Sequence, residues 1–424
     1  MTVDQIVEYL DTFKLEGRDL SPRRTQRFLK KLGNPEKKLK FVHVTGTNGK
    51  GSTCAYVASI MRKAGYRVGS FVSPHIVKFN ERLQCNGEYI TDEELIKLVE
   101  DARPILDTTD DPPTQFEIVV GLAMMFYVEK ECDIVVLEVG MGGDTDATNV
   151  IDTPEVAIIA TIGFDHIAAL GPELTDIARA KAGIIKQGGD AAIYGSTKEV
   201  EELFESICKE RGAKLHKADF SRISNQVESI DGLKFSLEPY GEVTTALLGS
   251  YQSKNATLAI TAIEILREKG FTVADEDIIS GLRDVNWPGR FEVIGRNPVF
   301  ILDGAHNAEA VEVTADSLKR YFGDDKIVFI IGAMNNKDVD TMVSLIAPMA
   351  KAFINARPDY ERAMESELME EKLSIYDAPV YTIDDFEQAV TQAINLAGNE
   401  GVVCVIGSLH FSTDLRTAYN SIIH

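Results

Sequence analysis

Residues 45–53 read TGTNGKGST and lie between a short apolar run, KFVHVT, and a segment with helical spacing, Ser52 to Ala64. Gly46, Gly49 and Gly51 let the backbone turn tightly, so that its N–H groups and the N-terminus of the following helix face an anion. Lys50 adds a point charge for the outer phosphates of a nucleotide, and Ser52 or Thr53 offers a hydroxyl to phosphate or Mg²⁺. The segment departs from the usual phosphate-loop pattern, with Val44 in place of the first Gly and Gly51 after the lysine in place of Ser or Thr. A plain glycine turn explains the glycines, but not a lysine and hydroxyls at a strand-to-helix junction. The chemistry expected here is binding of nucleotide phosphates.

Three more polar residues close apolar runs: Ser73 after RVGSFV, Glu138 at the end of DIVVLE, and His166 after VAIIATIGFD. In an open parallel sheet the carboxyl ends of the strands form one rim where ligands bind, so these residues should converge with the phosphate loop. Oxygen ligands from Ser73 and Glu138 suit Mg²⁺, which keeps waters and takes phosphate oxygens. Histidine is a less usual ligand for that ion, and alone His166 reads as a hydrogen-bonded loop residue. Further along, Asp303 ends the run Val299 to Leu302 and is placed to accept hydrogen bonds from ribose hydroxyls, as acidic residues do in dinucleotide folds.

A sheet must position these groups. Lys40 to Thr45, Arg67 to Val72, Asp133 to Val139 and Val156 to Ile162 are short and apolar, as strands covered by helices on both faces require, and they alternate with helical patterns. Gln115 to Glu129 is apolar almost all round, which predicts a buried helix with Met124 and Met125 as core filling. A second α/β series starts near Asn297, with strands expected at Val299 to Leu302, Ile327 to Ile331, Ala352 to Asn355 and Val402 to Ile406. The joint falls in Trp287 to Arg296, where Pro288 and Gly289 interrupt the pattern. Two domains are therefore expected, 1–290 and 297–424.

At 424 residues the chain exceeds the range of a single hydrophobic core. Its 44 Lys plus Arg against 66 Asp plus Glu give a net charge of −22, which argues against general affinity for nucleic acid or an anionic membrane. An anionic substrate must then be held by local positive groups. No apolar stretch is long enough to span a bilayer, and the N-terminus lacks the basic start and apolar stretch of a signal peptide. Cys54, Cys85, Cys132, Cys208 and Cys404 are odd in number, widely spaced and without a CxxC pair. Neither a disulfide framework nor a zinc site is suggested, and a reducing cytoplasm fits.

TGTNGKGST, SPHIVKFNERLQCNG (73–87), EVGMGGDTDATNV (138–150), FDH (164–166), KAGIIK (181–186), LGSYQSKNATLA (248–259), WPGRFEV (287–293), LDGAHN (302–307) and GSLHFS (407–412) follow one another along nearly the whole chain. In that order and spacing the sequence resembles the folylpolyglutamate and dihydrofolate synthases of the Mur ligase superfamily. The resemblance implies an α/β fold with a P-loop-type parallel-sheet domain that binds ATP and folate, followed by a smaller Rossmann-like glutamate ligase domain. It implies ATP held at Gly49, Lys50, Gly51 and Ser52, one Mg²⁺ on Ser73 and Glu138, and a second on or near Glu138 and His166. Lys181 matches the family's carbamylated lysine, which supports the second metal; read alone, it is an ordinary cation on the helix ELTDIARAKAGIIK. Asn255 and Arg290 match nucleotide contacts, Asp303 the ribose position, His306 a further active-site position, and Pro74 and Arg82 the pterin-binding loop. Asp144 stands where many relatives carry Arg, and His410 where Tyr is frequent.

The activity implied is ligation of L-glutamate to a folate or dihydropteroate through an acyl phosphate, by a monomer whose second domain closes over the nucleotide about Trp287 to Arg296. A peptidoglycan-type Mur ligase shares the machinery, but places a nucleotide-sugar domain before a phosphate loop that here begins at residue 45. A nucleotide-hydrolysing switch would need neither the LDGAHN segment nor the SPH loop.

Overall fold

The structure is a computed structural model that describes residues 1–14, 21–75, 78–335, 337–358, 360 and 362–423; the side chains of Leu409 and His410 lie outside the described residues, and with them the expectation concerning His410. Contacts divide the chain into two compact units, one of Met1–Ile223, Leu237–Val243 and Lys254–Val285, the other of Ser224–Ser236, Thr244–Ser253 and Asn286–His424. The sequence reading kept everything up to residue 290 together, whereas the segments 224–236 and 244–253 cluster with the later residues. The segment 224–236 holds nearly all of β9 (Ile223–Ser229) and β10 (Gly232–Leu237), and 244–253 runs from the end of β11 (Gly241–Thr245) to the start of the helix Gln252–Glu268; the three strands form a small sheet of order β11-β10-β9.

In the first unit, β1 (Phe41–Thr45), β2 (Val68–Phe71), β3 (Leu83–Cys85), β4 (Glu88–Tyr89), β5 (Ile134–Glu138), β6 (Val156–Ile159), β7 (Asp190–Ile193) and β8 (Lys214–Lys217) lie in the order β4-β3-β2-β5-β1-β6-β7-β8. Pairing is parallel from β2 through β8 and antiparallel at β3 and β4. β1, β2, β5 and β6 are buried at every residue, which is why their sequences run apolar without alternating. The helix after β1 spans Lys50–Lys63 and starts earlier than Ser52, because Gly49 takes the left-handed conformation of its N-cap. The helix Gln115–Glu129 begins where its sequence sets it: Thr114 N donates to Glu117 Oε2 at 2.7 Å and Glu117 N returns a bond to Thr114 Oγ1 at 3.4 Å, a reciprocal cap. Met124 is fully buried in the same cluster as Phe71, Tyr127 and Leu137, and Met125 packs on its margin.

The second unit holds β12 (Glu292–Arg296), β13 (Val299–Leu302), β14 (Ile327–Ile331), β15 (Ala350–Asn355), β16 (Val380–Thr382) and β17 (Val402–Ile406), ordered β12-β13-β17-β14-β15-β16 and parallel except at β12. Alternate residues enter different cores: Ile301, Phe329 and Cys404 join one cluster, Phe300, Val328 and Val403 another. A period of two with both sets buried means that both sheet faces are covered. Strands that the sequence reading did not resolve have reasons: β7 is alanine-rich (DAAI), β8 is a polar edge (KLHK), and β16 is three residues long. Among the described residues no helix is long and apolar enough to cross a membrane.

Candidate active site

β2, β5, β1 and β6 are consecutive and mutually parallel, so the loops after them leave one edge of the sheet at spacings of about 5 Å. Those loops carry Ser73, Glu138, the 45–53 turn and His166. In the turn, Gly49 has φ 82°, and a Cβ there would lie 2.9 Å from Asn255 Oδ1. The left-handed conformation favours glycine, and a side chain there would also displace the Asn255 amide. Asn255 is buried on the helix Gln252–Glu268. Lys50 Nζ donates to the carbonyls of Gly46 at 2.9 Å and Thr47 at 3.3 Å. Thr53 Oγ1 donates to Gly49 O at 2.8 Å, so its hydroxyl is committed to the helix backbone, while Ser52 is buried in the first turn. The turn is tied to the segment after β6: Thr47 N donates to Thr161 O at 2.7 Å, Thr161 Oγ1 accepts from Asn48 N at 3.1 Å, and Thr47 Oγ1 donates to Gly163 O at 3.0 Å. Thr45 Oγ1 donates to Gly142 O at 2.6 Å, fixing β1 to the glycine loop after β5.

Ser73 and Glu138 are brought into contact: the backbone N–H of Ser73 donates to Glu138 Oε2 at 3.1 Å, and that carboxylate is 3% exposed. His166 has φ 52° and caps the short helix Ile167–Leu170; its N–H donates to Asp165 Oδ1 at 2.8 Å, and its side chain is half-exposed with Nε2 3.9 Å from Asp165 Oδ2. Among the described residues no group of three or more His, Cys, Asp or Glu is arranged to hold a metal. The serine and buried carboxylate on this rim fit Mg²⁺ in kind, since that ion fills its remaining positions with water and phosphate oxygens.

Lys181 ends the helix Leu174–Lys181 and is 5% exposed. Burial, helped by the Lys50 charge and opposed by Asp165 and Asp146, pushes its amine down to about 7. The loop after Glu138 packs against the backbone at this end of the helix. Asp144 N donates to Ala180 O at 2.9 Å, and a Cβ on Gly143 would lie 2.8 Å from the carbonyl oxygens of Ala180 and Lys181. Asp146 and Asp165 were not singled out from the sequence, although each stands in a quoted motif. Asp146 accepts from Met141 N and Thr148 N at 2.9 Å and from Thr148 Oγ1 at 2.6 Å, and so holds the glycine loop.

Pro74 follows Ser73, and Arg82 Nε donates to His75 Nδ1 at 3.0 Å with its guanidinium 5.0 Å over the Phe79 ring; burial lowers its pKa to about 10. In the second unit, Asp303 follows β13 and its carboxylate is buried, accepting from Thr314 Oγ1 at 2.6 Å. Burial raises its pKa, while Thr314, the Arg290 charge and the N–H groups of Ala305 and Phe291 hold it down. Gly304 N donates to Gly289 O at 3.0 Å, which joins the loop of Arg290 to that of Asp303. His306 Nδ1 is 2.9 Å from Gly304 O. A carbonyl only accepts, so Nδ1 carries the proton and Nε2 is the basic nitrogen of the neutral ring.

The Mur ligase middle domain matches residues 44–263, and the Mur ligase glutamate ligase domain matches residues 289–409. Over 410 residues, covering 93% of both chains, the sequence is 35% identical to the dihydrofolate synthase/folylpolyglutamate synthase of Bacillus subtilis. The chain belongs to the dihydrofolate synthase/folylpolyglutamate synthase family of Mur ligases. Solved members share the fold: Mycobacterium tuberculosis folylpolyglutamate synthase complexed with ADP matches with a TM-score of 0.90 at 25% identity over 98% of each chain. E. coli FolC in complex with DHPP and ADP matches with a TM-score of 0.87 at 28% identity, over 100% of this chain and 99% of that one. This dihydrofolate synthase/folylpolyglutamate synthase family member is an ATP-dependent, ADP-forming ligase of α/β architecture, as its sequence motifs led one to expect.

Proposed function

We propose that the chain adds L-glutamate to reduced folates, to dihydropteroate, or to both, in the cytoplasm. The substrate carboxylate attacks the γ-phosphorus of ATP, the bond to ADP breaks, and an acyl phosphate forms. The amine of glutamate then attacks the acyl carbon, phosphate leaves, and the amine loses a proton as the amide forms. Such phosphoryl transfer depends mostly on positioning and charge neutralisation. Lys50 and the backbone of Gly49, Gly51 and Ser52 hold the phosphates. Asn255 and Arg290 contact the nucleotide, with Asp303 accepting from its ribose, while Pro74 and Arg82 serve the pterin. His306, basic at Nε2, is suited to take the proton of the incoming amine. Ser73, Glu138, His166 and a carbamylated Lys181 would hold two Mg²⁺ ions, which when bound neutralise phosphate charge.

The observation that carries this reading is the burial of Lys181, whose amine is pushed down to about 7. A neutral amine is the form that adds CO₂, whereas an ammonium beside a cation would repel it. Phosphate release from MgATP, measured with glutamate and either dihydropteroate or tetrahydrofolate, tests the activity. Glutamate-dependent release with one or both pterins is expected; none with either refutes it. Lys181→Ala should be nearly inactive and partly restored by a short carboxylic acid, and wild-type activity in that variant would remove the carbamate.

A further inference from the structure

We propose that Cys85 and Cys132 form an oxidisable dithiol, which a hydroperoxide closes to an intramolecular disulfide. Their sulfurs lie 3.8 Å apart although 47 positions separate them in the chain, and both are free thiols. Cys85 ends β3, in register with Gly69 of β2 and Glu88 of β4. Cys132 occupies the turn between the helix Gln115–Glu129 and β5. Both are clamped to the start of β2 through their neighbours: Asn86 N donates to Val68 O and Asp133 N to Arg67 O, each at 2.8 Å. From 3.8 Å a disulfide needs an approach of about 1.8 Å, within reach of a side-chain rotation when the backbones are already adjacent.

The two thiols are unequal, as attacking and resolving cysteines are. Cys85 is half-buried and Cys132 buried. Arg67 is held at this turn by its Nη1 bond to Lys130 O at 3.0 Å, and Glu131 is its 3.3 Å ion-pair partner. The hydrogen bond from Cys132, then the Lys130 and Arg67 charges, outweigh burial and Glu94 and bring the Cys85 thiol down to about 7; the same contact pushes the Cys132 thiol up. The Cys85 thiolate attacks one peroxide oxygen; an S–O bond forms, the O–O bond breaks, and the departing hydroxide leaves as water once protonated by solvent. The Cys132 sulfur then attacks the sulfenic sulfur, an S–S bond forms, the S–O bond breaks, and the hydroxide takes the Cys132 proton. The dithiol loses two electrons and two protons, and the peroxide becomes two waters.

The test is to treat the reduced full-length chain with hydrogen peroxide, then count thiols after unfolding and map the peptides. Two of the five cysteines should be lost and recovered with dithiothreitol, and the peptides of Cys85 and Cys132 should be joined within one chain. Cys132→Ser should stop at a sulfenic acid on Cys85 that dimedone traps. Cys85→Ser should slow thiol loss at least ~10-fold. A wild-type chain in which Cys85 proceeds to sulfinic acid without the crosslink, a crosslink between chains, or no trappable sulfenic acid in Cys132→Ser would each overturn the proposal.

Discussion

The phosphate turn and the Lys181 segment each bring a lysine to one rim of the first sheet, and they do so by opposite means. Lys50 follows a left-handed glycine and rests its amine on the carbonyls of Gly46 and Thr47, a perch that a phosphate can outcompete because anionic oxygens bind an ammonium more strongly. Lys181 is buried at the end of its helix, against whose backbone the loop after Glu138 packs, and desolvation lowers the preference of its amine for the proton. One lysine rests on backbone carbonyls at the turn; the other is kept dry. Sequence position alone does not separate the two, because the environment of Lys181 comes from a loop distant in the chain.

Lys50→Ala breaks the first half of this comparison and carries the largest expected effect: glutamate-dependent phosphate release should fall ~10³-fold, with the thermal midpoint nearly unchanged. Lys181→Met breaks the second half and should lower turnover ~10²-fold while stabilising the fold. The sign follows from the protons. An amine at about 7 folded against 10.5 unfolded means that the unfolded chain binds more protons between those pH values, so stability rises with pH across the window and the burial penalty is full below about 7. Urea titrations in CO₂-free buffer should therefore find Lys181→Met more stable by roughly 2–4 kcal/mol at pH 6, with the gap closing towards pH 10.5. Gly49→Ala should cost roughly 1–2 kcal/mol and weaken ADP binding in calorimetry, because the new methyl meets Asn255. Smallest is Thr53→Val, which removes only a bond to the Gly49 carbonyl; about 1 kcal/mol of stability and unchanged ADP affinity are expected.

The parts readable in sequence are those set by local chemistry. The helix Gln115–Glu129 has the bounds its sequence gives because Thr114 and Glu117 cap it within one turn, and β14 and β17 have theirs because fully buried strands run apolar. Ser73 and Glu138, each expected at the end of a strand, are in contact. What could not be read depends on distant segments. Lys181 sits on a helix that by itself looks solvated, yet it is buried, with Gly143 of a loop distant in the chain packed against its carbonyl. Cys85 and Cys132 look unrelated until β2 brings them together. The residues 224–236 and 244–253 carry no compositional sign of the unit they join.

The strand order has a consequence for how the protein is made. Val42, just upstream of the phosphate turn, pairs with Val136 on one side and Val156 on the other, so the central strand waits for partners from much later in the chain. Contact order of this kind slows folding, and on the ribosome the nascent chain carries an unpaired apolar β1 until β5 and β6 emerge. During that interval KFVHVT is the stretch a chaperone would be expected to bind, and the 45–53 turn cannot be templated until synthesis has passed it by the full span from Thr45 to Gly163.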